Sequence, residues 1–250
     1  MSGHSRWSQI KRKKGKADVQ RGKLFSKILR EITVAAKNGG GDPKANMRLK
    51  AAVESAREAN MPQENIKRAI QKGTGELPGE SYEEITYEGY APGGVAVLVQ
   101  VLTDNRNRTG PEIRRVFEKH GGHTGSAGAV AWMFERKGVI QVDAEKIGED
   151  DLLAKALDAG ATDMRRAEKA FEITTTPAEM DVVREALTKA GAPVLEAQVS
   201  FVPKSTVKVE SKGAASVLRL IEALEDLDDV QSVYANYDIP DEVLEAIAAA

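Results

Sequence analysis

Apolar residues recur at helical spacing between Asp18 and Gly73 and begin to alternate at Tyr82, so the chain changes from helical to strand character near residue 80. Leu24, Phe25, Ile28, Leu29, Ile32, Ala35 and Ala36 form one stripe, stopped at Asn38-Gly39-Gly40-Gly41, where glycine favours a left-handed cap. Asp42-Pro43 predicts a capping carboxylate and first-turn proline for a second helix with Leu49, Ala52, Val53 and Ala56 on one face, ending near Asn60. Pro62 opens a third helix, with Ile66, Ala69 and Ile70 inward and Gly73 as its stop. The expectation is a three-helix domain over residues 18–79.

Beyond it, Tyr82 to Gly89 and Val95 to Thr103 read as a hairpin joined by Ala91-Pro92-Gly93-Gly94. The second strand is apolar on both faces and therefore central in a covered sheet. Thr109 and Glu112 have capping-box spacing, which predicts a helix from Thr109 that packs Ile113, Val116 and Phe117 and closes at His120-Gly121-Gly122. Residues 129–134 read as a further strand.

From Lys137 the pattern runs strand 137–143, helix 149–159, strand 162–167, strand 169–175, helix 178–190 and strand 194–202, a split βαβ, ferredoxin-like order. Strand 206–210, helix 213–227 and strand 230–236 then resemble the missing half of the unit begun at Tyr82. The fold class expected is α/β (α+β): a basic arm over 1–17, the helical domain, and two ferredoxin-like α/β domains with the third inserted into the second. The split domain takes 80–134 plus 205–240, the insertion 135–204, and a tail 241–250.

Charge separates these parts. The first thirty residues hold ten Lys or Arg against Asp18 alone, a local +9 in a chain of net charge −2. Through Glu80 there are 18 basic and 8 acidic residues, which leaves 18 basic against 30 acidic for the rest. Such asymmetry points to a module that faces nucleic acid joined to acidic domains. Arg6, Lys11, Arg12, Lys13, Lys14, Lys16, Arg21 and Lys23 are its candidate phosphate contacts, because clustered cations gain affinity by releasing condensed counterions. The arm is polar and glycine-containing, so it is expected to stay mobile until it meets a partner. Trp7 can stack on an unpaired base or fold back on the first helix. Lys67, Arg68 and Lys72 lie opposite the apolar stripe of the third helix, either as a groove-reading face or as an ordinary solvated one. Arg106, Asn107 and Arg108 leave a buried strand for a helix start, where two guanidinium groups could clamp a phosphate or only Asp104, Asn107 and Thr109 turn and cap the chain.

Signals for catalysis are thin. There is no cysteine, hence no disulfide, thiol nucleophile or cysteine-based zinc site, which fits a reducing compartment. His120 and His123 lack nearby carboxylates at ligand spacing, the Gly121–Ser126 turn lacks the phosphate-loop lysine, and no dinucleotide fingerprint appears. No metal or cofactor is expected. The run Glu222, Glu225, Asp226, Asp228, Asp229 reads as a solvated face. No stretch approaches the roughly 18 apolar residues of a membrane span, so a cytoplasmic protein is expected.

Gly3-His4-Ser5-Arg6-Trp7, Arg21-Gly22-Lys23 to Phe25, Arg30 to Lys37, Asn60-Met61-Pro62, Tyr87 to Gly94, the Asp104 to Thr109 loop and Gly125-Ser126 together resemble the YebC/PmpR family across essentially the whole chain. The resemblance implies a three-domain, non-enzymatic cytosolic protein described as a DNA-binding transcriptional regulator. Mitochondrial and some bacterial relatives are instead described as translation factors acting on the ribosome. Nucleic acid, as DNA or as RNA in the ribosome, is the expected partner, with ribosomal or transcription proteins beside it. The arm does not itself distinguish duplex DNA from folded RNA.

Overall fold

The computed structural model describes residues 17–167 and 169–249, and among the described residues three helices come first. They are α1 (Ala17–Gly39), α2 (Met47–Glu58) and α3 (Gln63–Thr74). Ile32 and Ala36 of α1 meet Leu49, Val53 and Ala56 of α2 and Ile66 and Ala69 of α3 in one apolar core. Two expected boundaries move for physical reasons. Asp42 closes only a turn, accepting from the Lys44 amide at 2.9 Å; the cap of α2 is Asn46, whose Oδ1 accepts from the Leu49 amide at 3.1 Å. Its Nδ2 donates to the carbonyls of Ala35 at 2.7 Å and Gly40 at 2.9 Å, so one buried amide ties α2 to the end of α1. Likewise α3 stops at left-handed Gly75 rather than at Gly73. Gly73 lets α3 approach α1: a Cβ there would stand 2.4 Å from the Thr33 carbonyl oxygen.

A hairpin follows, β1 (Glu83–Ala91) antiparallel to β2 (Val95–Thr103), in register from Glu83 opposite Thr103 to Ala91 opposite Val95. The turn uses Gly93 and Gly94 at φ 81° and 76°, a region that glycine enters without steric cost. Helix α4 (Arg106–Lys119) buries Thr109, Ile113 and Phe117. It opens three residues before the expected Thr109: Asn105 is the cap, accepting from the Arg108 amide at 3.1 Å, while Thr109 points inward. A two-residue strand, β3 (His123–Thr124), pairs with β1.

The expected strand at 129–134 is not formed. Residues 131–133 make a 3-10 turn, and the strand proper is β4 (Phe134–Asp143). Next come α5 (Glu149–Asp158), β5 (Asp163–Ala167), β6 (Ala170–Thr175), α6 (Met180–Lys189) and β7 (Val194–Pro203). Their sheet has the order β5-β6-β4-β7, and each of the three pairings is antiparallel. That is the ferredoxin-like arrangement read from the sequence. Leu152 and Ala156 of α5 and Val183 and Leu187 of α6 pack on Ile140, Val142, Phe171 and Ile173.

The chain then supplies β8 (Val207–Lys208), α7 (Ser211–Glu225), β9 (Val230–Ala235), β10 (Tyr237–Asp238) and α8 (Asp241–Ala249). Strand β9 joins the hairpin sheet beside β2, giving the order β3-β1-β2-β9, so segments on either side of the β4–β7 module share one sheet. The expected strand 206–210 shrinks to β8, which pairs parallel with β10 in a sheet of its own. The expected tail carries α8. Residues 131–208 with 234–238 form one compact unit; the three helices, the hairpin, α4, α7 and α8 belong to the other.

Candidate nucleic-acid interface

Arg6, Trp7, Lys11, Arg12, Lys13, Lys14 and Lys16 lie outside the described residues. Of the basic residues that follow, Arg21 is exposed on α1 and holds its guanidinium over the Phe25 ring at 5.5 Å. The next three cations turn inward. Lys23 Nζ donates to the Asp226 carbonyl at 3.0 Å, Lys27 Nζ to the Glu225 carbonyl at 2.7 Å, and Arg30 to the Asp228 carbonyl. These carbonyls lie at and just beyond the carboxyl end of α7, where peptide dipoles leave partial negative charge and unpaired acceptors. Burial holds the Lys27 ammonium below its ordinary value, against the pull of Glu225 and Asp226.

The acidic run at the end of α7 is only in part the solvated face expected of it: Asp226 and Asp228 are exposed, Glu222 and Glu225 half-buried, and Asp229 buried. Asp229 is only 4% exposed. Its Oδ2 accepts from Thr109 Oγ1 at 2.6 Å, Arg108 Nη2 at 2.6 Å and Thr103 Oγ1 at 3.1 Å, and its Oδ1 lies 3.4 Å from Arg30 Nη2. Burial pushes this carboxyl up, but the hydrogen bonds from Thr109, Arg108 and Thr103 outweigh it and leave the group below its ordinary value. Arg108 also reaches Asp104 at 2.8 Å, and its guanidinium is held charged by Asp229 and Asp104. Within the 106–108 segment, then, Arg108 braces the turn between β2 and α4. Arg106 and Asn107 remain exposed at the start of α4.

A cleft of about 370 Å³ opens between α1 and α3. Arg30, Asn65, Arg68, Lys72, Glu80 and Tyr82 line it, above Leu29 and Ala69. Arg68 and Lys72, one helical turn apart, share this wall; Lys67, although exposed, is not part of the lining. Arg68 Nε is 3.5 Å from Glu64 in an exposed i,i+4 pair, too weak to hold it from a phosphate. Tyr82 donates to Glu80 at 2.8 Å and has Arg30 over its ring at 5.8 Å. Burial, then the Glu80 contact, raises its hydroxyl above the ordinary value. The recess thus offers cations, an amide and an aromatic ring, the chemistry that suits a phosphate with an adjoining base.

Sequence reading missed a second basic surface. Lys44, Lys50 and Arg57 border another cleft of about 370 Å³ along α2, beside Met47, Val53 and Glu54. The spacing of Lys50 and Arg57, seven residues on a helix, was the available signal. Among the described residues no group of three or more His, Asp or Glu is disposed to hold a metal ion; His123 instead packs against Tyr90 at 5.5 Å between ring centroids. Among them, too, no helix is long and apolar enough to cross a membrane.

Residues 5–76 match the model of the TACO1/YebC protein N-terminal domain, and residues 82–237 match that of the TACO1/YebC second and third domain. A protein of Dictyoglomus turgidum named probable transcriptional regulatory protein is 54% identical over 249 residues, 99% of this chain and 100% of that one. A Pelotomaculum thermopropionicum protein of the same name is 57% identical over 243 residues, covering 96% and 100%. The crystal structure of a conserved hypothetical protein from Aquifex aeolicus, 54% identical, superposes with a TM-score of 0.83 over 92% of this chain and 95% of that chain. With both domain models matched in order and more than half the residues identical over nearly full lengths, the chain belongs to the TACO1/YebC family.

Proposed function

We propose that the protein is a non-enzymatic, cytoplasmic regulator of transcription that binds nucleic acid through its basic arm and the α1–α3 cleft. The observation that carries the reading is the meeting of Arg68 and Lys72 in a recess beside Arg30 and Tyr82, in the same helical region that carries the +9 arm. The names of the full-length relatives support the regulatory part. In this reading the arm (1–17) and helical domain (18–79) grip phosphates, with Arg6, Trp7, Lys11, Arg12, Lys13, Lys14, Lys16 and Arg21 as contacts beside Arg68 and Lys72. Lys23 anchors the helices to α7, and Lys67 contributes at the margin. The split domain (80–134 and 205–240) and the inserted domain (135–204) contact protein or shape the site.

One feature favours a second target, RNA within the ribosome. Arg68 and Lys72 line a recess containing an aromatic ring, whereas a major-groove reader projects its helix. Gel retardation by the full chain at physiological salt separates the two. Preference for a promoter fragment over random duplex competitor is the expected result. Comigration with ribosomes without duplex retention would move the target to RNA, and failure of both would remove the nucleic-acid reading.

A further inference from the structure

Helix α4 carries Arg106, Gly110 and Arg114 at a spacing of four residues, so the positions follow one another along one flank. Both arginines are exposed, and among the described residues neither forms an ion pair, even with Glu112 or Glu118 of the same helix. Tyr87 of β1 lies against the glycine between them: a Cβ at Gly110 would stand 3.2 Å from Tyr87 Oη. Burial holds the hydroxyl of half-buried Tyr87 above its ordinary value while the Arg106 charge draws it down, so that guanidinium is within electrostatic reach of the phenol. Among the described residues β3 pairs with β1 only at Gly89 and Tyr90, which leaves the β1 edge open at Tyr87.

Glycine inside a helix is destabilising relative to alanine. At position 110 the missing side chain leaves space at the Tyr87 phenol, and the two arginines bracket that space over a helical rise of about 12 Å. Guanidinium groups suit phosphate oxygens, and an aromatic ring suits the face of a base. Stacking selects an unpaired base, since bases within a duplex present only their edges. The start of α4 also adjoins the α1–α3 cleft: Arg30 in the cleft wall and Arg108 in the first turn of α4 share the Asp229 carboxylate. A strand that leaves the cleft past Asp229 meets α4 at the turn that bears Arg106.

We propose that Arg106, Gly110, Arg114 and Tyr87 form a second nucleotide subsite, which takes one unpaired base against Tyr87 and the phosphates on either side of that base on the two arginines. Asn107, exposed on the same flank, supplies an amide for the base edge. The subsite rests on the nucleic-acid reading above and adds to it a single-stranded segment, of DNA or RNA, beside the part gripped by the arm and the cleft. The split domain then contacts nucleic acid directly.

The test is anisotropy titration of the full chain, across salt concentrations, with a labelled oligodeoxythymidylate and a labelled oligouridylate of about twelve nucleotides. Arg106→Gln combined with Arg114→Gln should weaken single-strand binding about tenfold and make the log–log salt slope shallower by about 1.4, or about 0.7 for each lost contact. Tyr87→Leu should weaken it at least about fivefold with the slope unchanged, because stacking releases no counterions, and Tyr87→Phe should keep the parent's affinity. Tyr87→Leu should leave binding to a duplex of the same length unchanged. Losses confined to one oligonucleotide support the subsite and identify DNA or RNA as its ligand. If the parent binds single strands and the arginine and leucine variants match it in affinity and slope, the subsite is overturned and the cleft reading stands; a parent that binds only duplex has the same consequence. A parent that binds neither form removes the nucleic-acid reading and the subsite with it.

Discussion

Asp229 illustrates how far a residue's role can depend on partners remote in sequence. Read locally, it is the last of five acids around a helix end. Folded, it is buried and receives two threonine hydroxyls and Arg108, 120 to 126 positions away. Its carboxyl sits below its ordinary value in the fold, so its stabilisation is complete above that ordinary value and is lost as pH falls through the folded one. Asp229→Asn should therefore lower unfolding stability at neutral pH by about 1 to 3 kcal/mol, because it weakens the charge-assisted hydrogen bonds that buried Thr103 and Thr109 make to it. The difference from the parent should shrink in acid. Denaturant titrations that stayed parallel from neutral to acid pH would contradict this role. The same network means that Arg108→Ala disturbs the β2–α4 turn as well as any ligand contact, and Arg106→Ala is the cleaner probe of that loop.

At the scale of elements, α1, α2 and α3 and the βαββαβ run were legible because each buries a stripe or an alternating face, and that periodicity is written locally. Caps were harder. Asn46 and Asn105 compete with Asp42 and Thr109, which are equally good capping residues, and only the packing of Thr109 against Asp229 decides between the latter pair. The inward turn of Lys23, Lys27 and Arg30 was illegible for another reason: their acceptors lie about 200 residues downstream. A charge count cannot separate cations that cap a helix from cations that face solvent. Lys72 and Arg68 fall in the second group, both exposed in the α1–α3 cleft. Replacing both with Gln should weaken nucleic-acid binding about tenfold or more while thermal unfolding stays within a degree or two, since exposed substitutions perturb stability by about 0.5 kcal/mol or less. Unchanged binding would exclude the cleft from the interface.

Across the whole molecule, opposite charges are sorted by position in the chain: basic residues predominate through Glu80 and acidic residues after it. Part of that opposition is used internally, where α1 meets the end of α7. What remains outward on the helices, with the arm, is the basis of the nucleic-acid reading, and its thermodynamic mark is counterion release. The most direct measurement is the salt dependence of binding for the full chain beside a variant with Lys11, Arg12, Lys13 and Lys14 all changed to Gln. The log–log slope should become shallower by up to about 0.9 per lost phosphate contact on duplex, or 0.7 on single strands, with weaker binding throughout. An unchanged slope and affinity would show that the arm does not contact phosphate and would contradict the account at its centre.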